Sequence, residues 1–252
     1  MIFFIKILCI ISFVFCEKET LAENTSNSKN EEDAEYIYIG NWPVNGEKNN
    51  INSLSSECPG GVGCECSLDS DCLNNNCAKQ FKGKFCTLKE GNVFPEFIAY
   101  DQFGEQVNLH DFANQGKYIL LEMGAAWCSP CKKLASYFAY KDQTIVSDRI
   151  WRPGYEKIYD MVINEEVYFV TVLYEDVYRD NASKYTVEDW YSEYPDDHIP
   201  ILADENKYLH RIIKPTGIPA VTLLDENMII VATTTRGFNV AFDKLLSIKN
   251  DD

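Results

Sequence analysis

The sequence predicts an α/β fold, a central mixed sheet flanked by helices and carrying an N-terminal β-hairpin extension, preceded by a small disulfide-rich module. Three observations carry that expectation. After Gly91, apolar runs of strand length alternate with amphipathic segments and turn residues, the pattern of layered α/β packing. Before Gly91, six cysteines crowd between Cys58 and Cys86 among Gly, Asp, Asn and Ser, with few large apolar residues. Across the 252 residues, 46% are hydrophobic and 13% aromatic, enough apolar surface to bury a sizeable core.

The charge balance narrows the partners. The chain has 23 Lys+Arg against 39 Asp+Glu, a formal charge of −16, and no basic run. A phosphate backbone is bound by clustered Lys and Arg, so direct binding of DNA or RNA is not expected.

Residues 1–16 have one charge, Lys6, and a continuous apolar run over residues 7–15 that is shorter than the ~20 residues of a membrane span. The segment reads as a signal peptide with cleavage after Cys16, Val14 and Cys16 being acceptably small for the peptidase. A lipid-anchored Cys16 and an uncleaved anchor are the alternatives, and any membrane tether would lie in this segment. Cleavage removes Lys6 and leaves 22 minus 39, or −17. The expected location is periplasmic or extracellular, or membrane-anchored facing outward, where disulfides persist.

Residues 17–57 are rich in Glu, Asn, Ser and Lys and read as a flexible polar linker. Their apolar island at residues 36–44 is either a docked edge strand or an apolar patch in a tether. Asn24-Thr25-Ser26 and Asn181-Ala182-Ser183 match the glycosylation acceptor pattern.

Residues 58–90 form the cysteine-rich module. Too little apolar material is present for a core, so stability has to come from cross-links. Cys58, Cys64, Cys66, Cys72, Cys77 and Cys86 are an even set, which in an exported chain reads as three disulfides with 15 pairings open. A zinc site is the rival, but no histidine lies between Cys58 and Cys86. The segment bears a weak resemblance to small cysteine-rich modules beside other domains in secreted proteins, and it reads as a structural spacer or docking module.

Residues 91–252 form the α/β domain. Residues 97–100 and 107–109 read as a hairpin about Asp101-Gln102-Phe103-Gly104-Glu105, and a helical turn at residues 110–114 follows. Residues 118–121 form a continuous apolar run, suited to a central strand covered on both faces. The run leads directly into Trp127-Cys128-Ser129-Pro130-Cys131 and a helix over residues 132–140. Further on, residues 154–162 read as helix, 168–173 as strand, 187–194 as helix with Thr186 as N-cap, and 206–213 as helix with Tyr208, Ile212 and Ile213 inward. Residues 221–224 and 228–232 pair as antiparallel strands, and residues 238–248 close the chain as a helix.

Two cysteines separated by two residues at a helix start can close a small disulfide ring. The first sulfur then faces unpaired N–H groups and the positive end of the helix dipole, which raises its thiolate fraction. Pro130 in the first turn has no N–H to leave unsatisfied. Leu120, Leu121 and Met123 surround Glu122 with apolar neighbours, and the desolvation raises its pKa toward a useful range.

The motif W-C-S-P-C at a strand-to-helix junction resembles the active site of the thioredoxin superfamily. Glu122, six residues before Cys128, matches the buried acid that accepts a proton from the second cysteine in that superfamily. Thr216-Gly217-Ile218-Pro219 resembles its cis-proline loop, which lies against the dithiol and presents backbone groups to substrate. Phe94-Pro95-Glu96-Phe97 with the hairpin resembles the N-terminus of the exported TlpA and ResA type, and the likeness covers about residues 92–249.

The resemblance implies a thioredoxin-like fold and a thiol-disulfide oxidoreductase. Cys128 would attack, Cys131 would resolve, Glu122 would take the proton, and Ile218 and Pro219 would hold the substrate chain with Trp127 packed over the site. No cofactor is implied beyond the redox-active pair Cys128 and Cys131. The partners would be protein disulfide substrates and an upstream thiol reductant or oxidant. Ser129-Pro130 contains no histidine, which favours reduction or isomerisation over oxidation.

Departures from the resemblance are visible. The span from Cys131 to Pro219 exceeds a minimal thioredoxin, placing insertions near residues 141–153 and 175–197, the second bearing Trp190, Tyr191 and Tyr194. Leu134 stands where the ResA type has a further active-site glutamate. The hairpin is shared with peroxiredoxins, so a thiol peroxidase is one alternative, although Ala125 stands where those have a threonine. A non-catalytic exported scaffold is the other. His110, His198 and His210 have no spacing that suggests a metal or a triad.

Overall fold

The computed structural model describes residues 37–44, 51–80 and 82–251. The described residues belong to one compact unit. The signal-peptide reading, Cys16, Asn24 and most of the linker reading lie outside the described residues.

The cysteine-rich segment is a two-stranded hairpin, β1 (Cys77–Gln80) and β2 (Gly83–Cys86), with a chain segment wound against it. Three disulfides join Cys58 to Cys64, Cys66 to Cys77 and Cys72 to Cys86. The Sγ atoms of Cys66, Cys72 and Cys77 lie within 4.8 Å of one another, and each is taken up in one of these bonds.

A second hairpin, β3 (Ile98–Tyr100) and β4 (Gln106–Asn108), runs into a 3-10 turn at Leu109–Phe112. Asp101 is fully buried in its tip and holds the turn. Its Oδ1 accepts the N–H groups of Phe103 and Glu105, both at 2.9 Å. Its Oδ2 accepts the Trp42 indole N–H at 2.8 Å, and the Tyr38 hydroxyl donates to Asp111 at 2.7 Å. Residues 37–44 therefore dock on this hairpin as a turn, through two aromatic donors, and make no edge strand.

The main sheet has the order β7-β6-β5-β8-β9. Its strands are β5 (Tyr118–Gly124), β6 (Val167–Leu173), β7 (Ile201–Ala203), β8 (Ala220–Leu224) and β9 (Ile230–Ala232). Strands β5, β6 and β7 are parallel, while β8 and β9 return antiparallel. The helices are α1 (Ser129–Tyr140), α2 (Glu156–Ile163), α3 (Lys184–Glu193), α4 (Tyr208–Ile213) and α5 (Asn239–Asp251). This is the thioredoxin-like α/β architecture that the sequence predicts.

Consecutive strand residues face opposite sides of the sheet. Phe169 meets Phe138 of α1 at 4.8 Å, while Phe242 of α5 lies 5.1 Å from Tyr155 at the start of α2. Its neighbour Tyr168 meets Phe112 of the 3-10 turn at 5.1 Å. Each such ring contributes roughly 1.5–3 kcal/mol by leaving water.

Three details differ from the sequence reading. Strand β7 was not expected: three residues following Pro200 are too few to show a period. In α3 the N-cap is Ser183 rather than Thr186, whose Oγ1 sits at the third helical position and accepts the Ser183 N–H at 3.0 Å. In α4 the buried side chains are Leu209, Ile212 and Ile213, while Tyr208 stacks on Phe97 at 6.3 Å and reaches Ser56 through its hydroxyl at 3.0 Å.

The Cys72–Cys86 bond closes the longest loop of the segment, with a sequence separation of 14, and Cys86 is fully buried. Replacing both cysteines with alanine lowers unfolding free energy by about 3 kcal/mol, the chain-entropy value for such a loop. Urea denaturation measures it, and an unchanged midpoint would contradict the stabilising role.

Candidate active site

The site begins where β5 ends. Strand β5 lies between β6 and β8 and delivers the chain through the buried Ala125 and Ala126 to Trp127 and Cys128. Cys128 is the N-cap of α1, and its Sγ accepts the Cys131 backbone N–H at 3.2 Å. The sulfur thus takes the place of a capping oxygen at the positive end of a 12-residue helix. Pro130 occupies the first turn, where its missing N–H leaves no orphan donor. Cys128 and Cys131 are joined as a disulfide, and each residue is 1% exposed.

Glu122 sits two residues before the end of β5, in register with Thr171 on β6 and Val221 on β8. It is 2% exposed. The Thr171 hydroxyl donates to Oε2 at 3.0 Å, while Oε1 has no hydrogen-bond partner among the described residues. Burial pushes the carboxyl up to about 7, and the Thr171 hydrogen bond offsets only part of that.

Gly124 explains how the carboxyl and the second sulfur share one space. It lies on the same face of β5 as Glu122. A Cβ at Gly124 would stand 3.4 Å from Cys131 Sγ and 3.6 Å from Glu122 Oε1. With only hydrogen there, the sulfur and the carboxyl face each other across the glycine. On its other side Glu122 borders a cavity of about 20 Å³, shared with Thr171, Trp190 and Asp196. That is room for about one water.

The bond between Ile218 and Pro219 is cis. The Pro219 carbonyl accepts the Gly237 N–H at 2.7 Å, and the Thr216 N–H donates to the Thr235 carbonyl at 2.7 Å, which fixes the loop on both sides. Among the described residues no hydrogen-bond partner takes up the Ile218 main chain. A groove of about 500 Å³ runs between Trp127, Cys128 and Pro130 on one wall and Thr216, Gly217 and Ile218 on the other. Cys128 lines this groove; Cys131 lies behind it, on the Glu122 side.

Trp127 is held by residues that sequence reasoning missed. Its indole N–H donates to Glu175 Oε2 at 2.7 Å, and the Arg179 guanidinium lies 3.8 Å above its ring. Glu175 Oε1 in turn accepts from Lys207 Nζ at 2.6 Å. Burial pushes the Glu175 carboxyl up, but the hydrogen bonds from Lys207 and Trp127 outweigh it and hold the group below its ordinary value. Glu175 and Arg179 come from the loop after β6, and only their place just past a strand end could have marked them. Leu134 is buried in α1.

The histidines serve packing and local hydrogen bonds. A His110 ring nitrogen lies 3.0 Å from the Phe94 carbonyl, and His198 lies 3.0 Å from Asp196. The His210 ring lies tilted against Tyr174 at 4.2 Å, with its pKa lowered by burial and by Lys207.

No protein-family model matches the chain. The chain is 37% identical over 59 residues to the thiol-disulfide oxidoreductase ResA of Bacillus subtilis strain 168, a match covering 23% of this chain and 31% of that relative. Among solved structures it is similar to the thioredoxin domain of a thiol-disulfide oxidoreductase from Bacteroides vulgatus, at 23% identity and TM-score 0.42, covering 66% of this chain and 98% of that one. It is also similar to the pneumococcal exposed lipoprotein thioredoxin of Streptococcus pneumoniae, at 22% identity and TM-score 0.43, covering 63% and 100%. A third is a thiol:disulfide interchange protein DsbE from Chlorobium tepidum, at 19% identity and TM-score 0.45, covering 66% and 96%.

The buried carboxyl has a consequence for stability. Between pH 4.5, where the unfolded glutamate ionises, and about 7, folding takes up a proton. The Glu122 contribution to stability therefore falls as pH rises through that window, by about 3 kcal/mol in all, and stays flat above it. His110 and His210, whose pKa values burial lowers, act in the opposite sense. Glu122→Gln in the disulfide form removes the Glu122 contribution and gains on the wild type at pH above 7 but not at acid pH. Urea denaturation at the two extremes measures this; an equal difference at both would contradict it.

Proposed function

We propose that the chain is an exported, TlpA/ResA-like thiol-disulfide oxidoreductase of the thioredoxin superfamily that reduces or isomerises protein disulfides through Cys128 and Cys131. The observation that carries this reading is the arrangement around the pair. The first sulfur caps a helix at the floor of a groove, and the second faces a buried carboxyl whose pKa is about 7.

In the reduced protein the Cys128 thiolate attacks one sulfur of a substrate disulfide. A new S–S bond forms, the old one breaks, and one substrate thiolate leaves. The substrate chain lies along Ile218, whose main chain is available to pair with it, as strands pair at a sheet edge. Cys131 then gives its proton to the Glu122 carboxylate, and its thiolate attacks Cys128 Sγ. The second substrate thiolate is released, the substrate has gained two electrons, and the protein is left with the Cys128–Cys131 bond seen here. A thiol reductant restores the pair, and no bound cofactor or metal enters the cycle.

A carboxyl with pKa about 7 suits its task, because it is close to half ionised at neutral pH and exchanges protons in either direction. The pair has only Ser129 and Pro130 between its cysteines, with no histidine there to stabilise the Cys128 thiolate further. That supports reduction or isomerisation as the direction. Export is supported by residues 1–16 and by the disulfide-rich segment, which persists outside a reducing compartment. A peroxidase reading finds less support, since the buried Ala125 offers no hydroxyl beside the sulfur.

Replacing Cys131 with Ser leaves the mixed disulfide unresolved. Cys128 is then expected to accumulate covalent adducts with exported proteins, and a Cys128→Ser, Cys131→Ser double variant none. Absence of adducts, or peroxide consumption without them, would overturn the reading. The reduction potential of the pair should fall near the roughly −270 mV of thioredoxin, and a value near −120 mV would mark an oxidant instead.

A further inference from the structure

The cysteine-rich segment has no part in the chemistry above, yet it builds a wall beside it. A groove of about 590 Å³ lies between the β1–β2 hairpin and α4 with the loop that follows. Gln80, Lys82 and Phe85 line one side, and Arg211 and Lys214 the other. The groove ends on Pro215 and Thr216, which also line the groove holding Cys128. The two grooves therefore adjoin at these residues, a channel in two parts between the hairpin and Cys128.

The channel is cationic in a chain whose net charge is −16. No carboxylate lines either part. Among the described residues Lys82, Arg211 and Lys214 have no carboxylate within 4.0 Å. Toward the dithiol, Arg179 covers Trp127, and the Arg236 side chain would lie 3.0 Å from a Cβ at Gly217. At that end Glu175 is taken up by Lys207 and Trp127, and Glu122 lies behind the pair on the Cys131 side. Two more distant acids act on the groove cations, Glu65 on Lys214 and Asp204 on Arg211, and the Asp204 carboxylate is itself taken up by the Tyr208 and His210 N–H groups. Charges beyond the screening length of about 8 Å at 0.15 M salt count for little. A ligand in the channel thus meets an excess of positive charge.

The wall is fixed in place by close backbone approach. Gly63 has φ +92°, and a Cβ there would stand 3.2 Å from the Arg211 carbonyl. Its N–H donates to the Cys86 carbonyl at 2.8 Å, and Lys214 Nζ lies 3.8 Å over the Phe85 ring. The three disulfides hold the hairpin in this position without an apolar core of its own.

We propose that this channel binds an acidic polypeptide segment flanking the substrate's disulfide, so that the cysteine-rich hairpin selects which disulfides reach Cys128. The inference rests on the thiol-disulfide reading for its substrate, and it is a statement about specificity. An extended chain laid along Ile218 advances about 3.3 Å per residue, and it leaves the dithiol across Pro215 and Thr216 into the cationic groove. Carboxylates there meet Lys82, Arg211 and Lys214, while Phe85 offers apolar contact.

The test uses the reduced full chain and synthetic disulfide peptides of one core sequence, flanked by runs of Glu, Ser or Lys. At low salt the Glu-flanked peptide is expected to react about ten-fold faster than the Ser-flanked one, and the Lys-flanked peptide more slowly. The advantage should shrink toward unity in 1 M salt, where screening acts over about 3 Å. Lys82→Glu with Arg211→Glu, both at exposed positions, should reverse the order. The readout is the ratio within each variant, so a general loss of activity cancels. Equal rates for the three peptides, or a preference that survives both substitutions, would overturn the proposal. Equilibrium binding of cysteine-free versions of the peptides to the disulfide form separates the two readings. A ten-fold tighter fit of the Glu-flanked peptide supports the channel even where no exchange occurs, and equal affinities refute it even where exchange is fast.

Discussion

The pairing of β5 with its two neighbours sets everything else at the site. On one side β6 runs parallel and places Thr171 beside Glu122; on the other β8 runs antiparallel, with Ala220 opposite Met123. An antiparallel neighbour begins where its partner ends. The cis bond before Pro219 is therefore carried to the end of β5, where the chain turns into α1. A slip of one residue would turn Glu122 and Gly124 to the opposite face of the sheet and separate them from Cys131. The ladder hydrogen bonds and the buried apolar side chains of β5 hold that register, so the packing of the core and the geometry of the dithiol are one constraint.

Within that frame the site contains a deliberate cost. A carboxyl 2% exposed, with one oxygen that has no partner among the described residues, is unfavourable once ionised, and an apolar residue at Glu122 would serve the core better. The glycine two residues on leaves a lane between carboxyl and sulfur that a larger side chain would fill. Both features weaken the sheet locally, and in the proposed cycle they place a proton acceptor of suitable strength behind a sulfur that would have to lose its proton. The helix N-terminus acts in the opposite sense on the other sulfur, lowering rather than raising its proton affinity.

Much of this was legible from the residues. The apolar run before Trp127, the spacing of Cys128 and Cys131, and the apolar neighbours of Glu122 are local signals, and local signals survive in a single sequence. The hairpin, β5, β6, β8, α1 and α5 follow from the same kind of pattern. What stayed hidden depends on long-range placement. Strand β7 is too short to show a period, and the helix start at Ser183 turned on which of two hydroxyl residues caps it. Tyr38 and Trp42 read equally as a tether patch until Asp111 and Asp101 are brought to them. The clamp on Trp127 joins residues 48 and 32 positions apart in the chain, with Glu175 between. The disulfide pairing was one choice among 15, and the wall it builds beside α4 has no trace in the local sequence.

The claim at the centre of this account is that the fold makes the two cysteines chemically unlike. Ultraviolet titration of the reduced protein, with alkylation at each pH to assign the sulfur, tests it most directly. The account predicts that Cys128 ionises below the ordinary thiol value of about 8.5 while Cys131 holds its proton to higher pH. Two cysteines ionising together at or above that value would contradict it.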